Sequence, residues 1–132
     1  MTREEMAAAL REGALSTEVR QFGPYGNIYF RSMEFPQTGS YVSGHSHNYD
    51  HVTFLHSGSL HVRAFLADKD GNPRGPVAER DFKAPAQLLI KAEMWHEFTA
   101  LEDGTLAYCI FAVRDPQGQV TNVYDGNLEP YR

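Results

Sequence analysis

Cysteine is nearly absent from this sequence, because Cys109 is the single cysteine among 132 residues. One thiol cannot form an internal disulfide, so we expect a reducing, cytoplasmic location. No cluster of Lys and Arg exists to meet phosphates, and the formal net charge of −5 argues against nucleic acid as a partner. Neither a run long enough for a membrane span nor the basic-then-apolar plan of a signal peptide occurs, so we expect no membrane partner.

The composition is that of an ordinary soluble globular protein, with 42% hydrophobic and 22% charged residues. A chain of this length is expected to form a single domain over residues 1–132. Thr2 and Glu5 are spaced as in a capping box, and an alanine-rich stretch follows them. Within the domain we predict three parts: a short N-terminal helix over residues 1–14, a β-barrel over residues 19–114 and a C-terminal tail over residues 115–132.

From Val19 onward, short stretches of strand-forming residues alternate with turn residues. The predicted strands include residues 59–67, 82–90 and 106–114, and a hairpin loop is predicted over residues 68–73. Many short strands separated by Gly, Pro, Asn and Asp predict an all-β sandwich or barrel.

Three of the six histidines, His45, His47 and His51, lie within seven residues of one another. Residues two apart on a β-strand point to the same face, so His45 and His47 can bind one ion, whereas on a helix they would diverge. Asn48 and Asp50 are typical of a turn. A tight reversal there would bring His51 onto a neighbouring strand, facing the other two. A surface loop that happens to be rich in histidine is the weaker alternative.

This stretch resembles the first motif of the cupin superfamily, Gly-x5-His-x-His-x3,4-Glu-x6-Gly, and the matching positions are Gly39, His45, His47 and Gly58. His51 stands where that motif has Glu. The second motif, Gly-x5-Pro-x-Gly-x2-His-x3-Asn, would cover residues 85–100, and only His96 matches it. The four departures are Pro85 and Glu93 for the two Gly, Lys91 for Pro and Ala100 for Asn.

The resemblance implies an all-β, double-stranded β-helix barrel of the jelly-roll type, with one divalent transition metal bound at an interior end. The expected metal ligands are His45, His47, His51 and His96. Strand alternation predicts that four more side chains face inward: Ser43, Thr53, Leu55 and Phe98. Imidazole ligands suit Fe, Mn, Ni, Zn, Co or Cu, so the ligand set does not identify the metal.

Several other residues are not predicted metal ligands, and we consider whether they have another role in the site. His56 falls on the opposite parity to His51, and His61 lies beyond the turn at Gly58, so we interpret both as ordinary surface or core histidines. Cys109 is interpreted as a small hydrophobic residue. Six side chains are candidates to orient a ligand or transfer a proton, although each is more often a core aromatic or a solvated charge: Tyr41, Tyr49, Tyr108, Lys91, Glu97 and Arg63.

Four neutral imidazoles leave the full charge of the ion in the site, and without the Glu of the motif a possible general base is lost. The metal would then polarise a bound oxygen as a Lewis acid, or bind substrate and O2 together. The resemblance favours a dioxygenase-type oxidoreductase acting on a small organic acid or enol. Two alternatives stay open: a non-redox isomerase, lyase or epimerase on a sugar or carboxylic acid, and a non-catalytic module that binds a metal or metabolite.

The expected partners are a small-molecule substrate or ligand and a second copy of the chain. Small cupins, which this chain resembles, usually form pairs, and the exposed β edges of such a barrel need cover. We therefore expect a homodimer.

Overall fold

The computed structural model describes residues 12–45, 50–70, 72–112, 114–115, 117 and 119–120, together with Glu5. Apart from Glu5, which has helical backbone, no helical residue occurs among them, and the all-β prediction is confirmed. They form nine strands: β1 (Glu18–Tyr25), β2 (Ile28–Phe35), β3 (Tyr41–His45), β4 (His51–Ser57), β5 (Ser59–Ala67), β6 (Pro73–Lys83), β7 (Ala86–Ile90), β8 (Met94–Ala100) and β9 (Thr105–Ala112).

The strands form two antiparallel sheets. One sheet has five strands in the order β1-β2-β9-β4-β7, and the other has four in the order β3-β8-β5-β6. From β2 to β5, and again from β6 to β9, consecutive strands alternate between the two sheets. This winding is that of a jelly roll, as the sequence predicts.

One apolar core lies between the sheets, because each strand presents every second side chain to it. Met33, Phe35 and Leu55 enter the core from the five-stranded sheet, and Leu60 and Phe98 enter it from the other. All five are at most 1% exposed. The remaining members of the buried cluster are Val62, Leu88, Ile90, Ala100, Ala107 and Cys109.

The hairpin loop after β5 lies where the turn residues predict it. The backbone amides of Asp70 and Asn72 each donate to Asp68 Oδ1 at 2.9 Å, and the Asp68 amide donates to Asn72 O at 2.8 Å. The hydrogen bond from the Asn72 backbone is the main reason that the pKa of Asp68 lies below its usual value. An ionised Asp68 therefore stabilises this loop.

The strand predicted over residues 82–90 is divided in two. β6 ends at Lys83 and pairs with β5, whereas β7 begins at Ala86 and pairs with β4 in the other sheet. Pro85 lies between them and has no backbone N–H to donate to a ladder. The proline thus coincides with the point where the chain leaves one sheet for the other.

The connection between β3 and β4 differs from the tight reversal expected between neighbouring strands. β3 pairs with β8, whereas β4 lies between β9 and β7 in the opposite sheet. The chain therefore crosses the fold between residues 45 and 51. A hairpin and a crossing between packed sheets need connections of similar length, so turn residues alone do not distinguish them.

The two ends of the chain are described only in part. The predicted helix over residues 1–14 falls mainly outside the described residues, as does the tail beyond residue 120. Asp115 Oδ1 accepts the backbone amides of Gln117 and Gln119, each at 2.9 Å, and Arg114 bridges to Val120. Within the described part of the chain, no helix has the length and apolar character that a membrane crossing requires.

Position 58, the last of the first motif, requires glycine because of its backbone conformation and because Thr105 leaves no space for a side chain. Both requirements can be tested by substitution. The φ of Gly58 is +82°, and an added Cβ would lie 2.8 Å from Thr105 Cα and closer still to its Oγ1. Gly104 is a matched control, because its φ is +71° and nothing lies within 4 Å of such a Cβ. We expect Gly104→Ala to lower the free energy of unfolding by about 1–2 kcal/mol. Gly58→Ala should lower it by about 2–5 kcal/mol, because the overlap adds to the same backbone strain.

Urea denaturation followed by circular dichroism measures both losses. Equal losses in the two variants would contradict the steric role of Thr105.

Candidate metal centre

Two of the four predicted ligands, His51 and His96, lie side by side in the interior. His51 is the first residue of β4 in the five-stranded sheet, and His96 lies within β8 in the four-stranded sheet. Their ring centroids are 5.5 Å apart, and the ring planes are inclined by 54°. The two residues are 5% and 1% exposed. Two imidazoles from opposite sheets therefore meet in a site shielded from bulk water.

Strand alternation places both rings at one end of the core. On β4, His51 is followed at every second position by the buried Thr53 and Leu55. On β8, His96 is followed by the buried Phe98, whose ring centroid lies 5.6 Å from that of His96. The inward positions predicted for Thr53, Leu55 and Phe98 are confirmed. The histidines thus form a polar layer next to an apolar one.

His45 reaches this region through the pairing of β3 with β8. In that register His45 is directly opposite His96, but the ladder shifts between Val42 and His45. Val42 therefore pairs with the buried Phe98, and the pairing along β3 is interrupted before His45. The side chain of Ser43, for which an inward position is predicted, is not among those that the structure describes. A β-bulge, in which one strand carries an extra residue, explains the shift. His47 lies outside the described residues.

The orientation of the His96 ring is set by its own strand. Nδ1 of His96 lies 3.0 Å from the carbonyl oxygen of Met94, and a carbonyl only accepts, so Nδ1 carries the proton. This tautomer places the lone pair of the ring on Nε2, an atom that is buried. A hydrogen bond from the second ring nitrogen to a backbone carbonyl is the usual support of a metal-binding histidine.

The geometry of the pair fits a shared metal ion. A metal–nitrogen bond is about 2.0–2.1 Å, so the centroid of a bound imidazole lies roughly 3 Å from the ion. Two ligands separated by about 90–120° then have centroids roughly 4.5–5.5 Å apart, and the observed separation is 5.5 Å. The described residues contain no group of three or more His, Cys, Asp or Glu side chains placed for a metal. This pair is therefore the part of the predicted ligand set that the described side chains supply.

A hydrogen bond connects the turn before β8 to the start of β4. Asp50 Oδ1 accepts the backbone amide of Ala92 at 2.7 Å, which joins the residue before His51 to the turn that leads to His96. Glu93 in this turn has a φ of +64°, the left-handed conformation that glycine adopts without strain. Glu93 is also the residue that stands at a glycine position of the second motif. Glu93 thus has a backbone conformation that favours glycine, which is the residue that the motif has at this position.

A second polar group lies beside the histidines on the five-stranded sheet. Cys109 Sγ and Thr53 Oγ1 are 3.4 Å apart in the interior. Burial raises the pKa of the Cys109 thiol, whereas the hydrogen bond with Thr53 and the positive charge of Arg31 act in the opposite direction. Cys109 is thus a buried neutral thiol, in line with its interpretation as a small hydrophobic residue.

Arg31 is not among the site residues predicted from the sequence. The signal that could have identified it is its spacing, because Arg31, Met33 and Phe35 lie at every second position of one strand, as inward-facing residues do.

The candidates for ligand orientation or proton transfer face away from the histidine pair. Tyr108 and Glu97 lie between inward-facing neighbours on their strands, and Arg63 is paired with Glu97 through a contact of 3.1 Å. Tyr41 and Lys91 are exposed. Tyr49 lies outside the described residues. These five described residues therefore do not line the interior beside the pair.

The two remaining described histidines lie on outer faces. His56 is exposed, and its ring contacts Tyr108 with a centroid separation of 6.2 Å. His61 is buried between two carboxylates, with Nδ1 2.5 Å from Asp81 Oδ1 and Nε2 2.6 Å from Glu79 Oε1. Both ring nitrogens of His61 thus contact carboxylates on the outer face, and His61 takes no part in the interior site.

No protein-family model matches this sequence, and no curated protein matches it. Solved structures do resemble the fold. KdgF from Halomonas sp. is 15% identical, with a TM-score of 0.57 over 76% of this chain and 82% of its own. An RmlC-like cupin family protein with a double-stranded β-helix fold, from Methanocaldococcus jannaschii, is 8% identical, with a TM-score of 0.58 over 74% of this chain and 80% of its own.

A recombinant oxalate oxidase in complex with glycolate has the same type of likeness. It is 13% identical, with a TM-score of 0.57 over 76% of this chain and 52% of its own. At these identities the likeness establishes the fold alone.

The left-handed conformation of Glu93 gives a second test. We expect Glu93→Gly to raise the free energy of unfolding by about 1 kcal/mol, because glycine removes the steric cost of a positive φ. Glu34→Gly, at an exposed position within β2, is the matched control and should lower it by about 1 kcal/mol. Chemical denaturation of both variants measures these changes. A loss of stability in Glu93→Gly would show that its side chain contributes more than its backbone conformation costs.

Proposed function

Because this chain has the cupin fold, we propose that it binds one divalent transition metal through His45, His47, His51 and His96. The observation that carries the proposal is the meeting of His51 and His96 from opposite sheets, at a separation suited to a shared ion. The tautomer of His96, with its lone pair on a buried nitrogen, adds support. His45 is included because it is directly opposite His96 in the β3–β8 register.

We further propose that the protein is a dioxygenase-type oxidoreductase acting on a small organic acid or enol. Four neutral imidazoles would leave the charge of the ion uncompensated, which favours anionic substrates that chelate it. A metal held there would supply Lewis-acid polarisation of a bound oxygen or joint binding of substrate and O2. The likeness of fold to an oxalate oxidase in complex with glycolate supports a small acid as the substrate class.

The protein's own residues have three tasks in this function. His51 and His96 hold their nitrogens in place from two sheets, and the apolar layer beneath them, including Phe98, keeps water from the far side of the site. The turn containing Glu93 sets the direction in which β8 enters the site.

Two alternative functions are a non-redox isomerase, lyase or epimerase and a non-catalytic metal- or metabolite-binding module. The fold is compatible with all of these functions, so the assays below are needed to distinguish them.

Metal analysis tests the site directly. Full-length protein purified without a His tag or chelator should contain about one equivalent of Fe, Mn, Ni, Zn, Co or Cu by elemental analysis. His51→Ala and His96→Ala should lose most of it, whereas His56→Ala, at an exposed histidine on the outer face, should retain it. A wild-type protein that contains no metal and takes up none on reconstitution would contradict the proposal.

The metal found decides the next assay. For Fe, Mn or Cu, O2 uptake that depends on an added small organic acid would support the dioxygenase. Turnover without O2, with Zn, Ni or Co, would favour the non-redox enzyme instead. A metal-loaded protein that turns over neither class of substrate would favour the binding module.

We also propose that the protein is a cytoplasmic homodimer, paired through the outer face of the five-stranded sheet. In the register of that sheet a single row crosses all five strands and is apolar throughout. Its members are Leu89, Val52, Ile110, Phe30 and Phe22, of which all but Phe30 are at least 36% exposed. A row that spans the whole sheet can lie across the same row of a second copy around a two-fold axis. Burying this apolar row in a second copy would be favourable.

Light scattering tests the dimer. Wild-type protein at micromolar concentration should have the mass of two chains. Ile110→Arg, at the centre of the row, should weaken the dimer at least about tenfold, because it places an unpaired charge in the interface. Val77→Arg, at an exposed residue of β6, is the control and should leave the mass unchanged. A monomeric wild type would contradict this part of the proposal.

A further inference from the structure

Arg31, on β2, is an inward-facing cation whose residue is half-buried. Met33 and Phe35, on the same strand, are buried in the core, and Arg31 precedes Met33 by two residues, so its side chain leaves the same face of the sheet. Its cross-strand neighbours are Gln21 on β1 and Cys109 on β9. The guanidinium therefore enters the fold from a polar part of the five-stranded sheet.

The register connects Arg31 to the histidine pair. Arg31 is opposite Cys109, Cys109 is opposite Thr53, and Thr53 follows His51 by two residues on the same face of β4. Strand spacings of about 4.8 Å and a rise of about 3.4 Å per residue place the Cα atoms of Arg31 and His51 on the order of 12 Å apart. The charge of Arg31 also acts on the Cys109 thiol, which supports an inward direction. After the lengths of the two side chains are subtracted, a molecule only a few bonds long can span the remaining distance.

Nothing among the described residues neutralises Arg31. Four other cations have a described acidic partner: Arg20 with Glu18, Arg63 with Glu97, Arg74 with Asp68 and Lys83 with Glu102. No described carboxylate forms an ion pair with Arg31, and none of the buried polar side chains described is an aspartate or glutamate. A half-buried cation that faces no described carboxylate is stabilised by an anion bound from outside.

We propose that Arg31 binds a carboxylate of the substrate and thereby determines its specificity. The inference rests on the proposed function, because the other end of the substrate would lie at the metal held by the histidines. The class of ligand follows from the separation of the two groups: a small dicarboxylic acid whose hydroxy-acid end chelates the metal and whose second carboxylate reaches Arg31. A guanidinium suits the second contact, since its planar fork bonds both carboxylate oxygens.

Calorimetric titration with two probes tests the proposal. Malate has a hydroxy-acid end and a second carboxylate, whereas glycolate has the first alone. Full-length protein loaded with Zn²⁺ or Mn²⁺ should bind malate more tightly than glycolate. Arg31→Gln should weaken malate binding by about 10- to 100-fold and leave glycolate nearly unchanged, which abolishes the preference. Arg31→Lys, which keeps the charge but loses the fork, should fall between.

The controls separate this inference from the proposed function. Arg20→Gln, at the exposed Arg20 that pairs with Glu18 on the outer face, should bind malate as the wild type does. Thermal unfolding of each variant checks that the fold is intact. Wild-type protein without metal should still bind malate weakly and lose that binding in Arg31→Gln, so the Arg31 site can stand even if no metal is found. Malate binding that is absent in the wild type, or equal in wild type and Arg31→Gln, would overturn the inference.

Discussion

Two sheets pack on one apolar core, and this packing determines which side chains can lie inside the fold. Every strand that contributes to the core must direct alternate side chains inward, and the completely buried Leu55 and Phe98 show that β4 and β8 obey this rule. His51 and His96 occupy the next inward positions of the same strands. The core thus decides where the two imidazoles meet, because neither ring could turn outward without taking its apolar neighbours with it.

A polar layer inside a fold is stable only when its geometry is supported. Here the backbone supplies that support: Met94 orients His96, and Asp50 fastens the turn before β8 to the start of β4. The strained φ of Glu93 lies in that same turn. Strain at such a place is retained when the surrounding structure determines the conformation, which here brings β8 into register with β3 and β5.

The two faces of each sheet have different roles. Charged residues of the four-stranded sheet form a cluster on its outer face, where His61 lies between Asp81 and Glu79 and Arg63 contacts Glu97. Among the residues that the structure describes, the inner faces contain few charges, and an inward Arg31 with no described acidic partner therefore affects which ligands can bind. Isolated cations are tolerated at a surface but need an anion in an interior.

Alternation and turn residues are local properties, so the sequence predicts the all-β class, the bounds of β5 and the hairpin loop after it. For the same reason it predicts the inward positions of His51, Thr53, Leu55, His96 and Phe98. The remaining features depend on the tertiary structure. The crossing between β3 and β4, the division of residues 82–90 between two sheets and the register shift before His45 depend on which strands pair, and pairing joins residues far apart in sequence. Arg31 became a candidate ligand-binding residue only when the register placed it beside Cys109. From the sequence alone, an arginine in an alternating strand is equally typical of the surface.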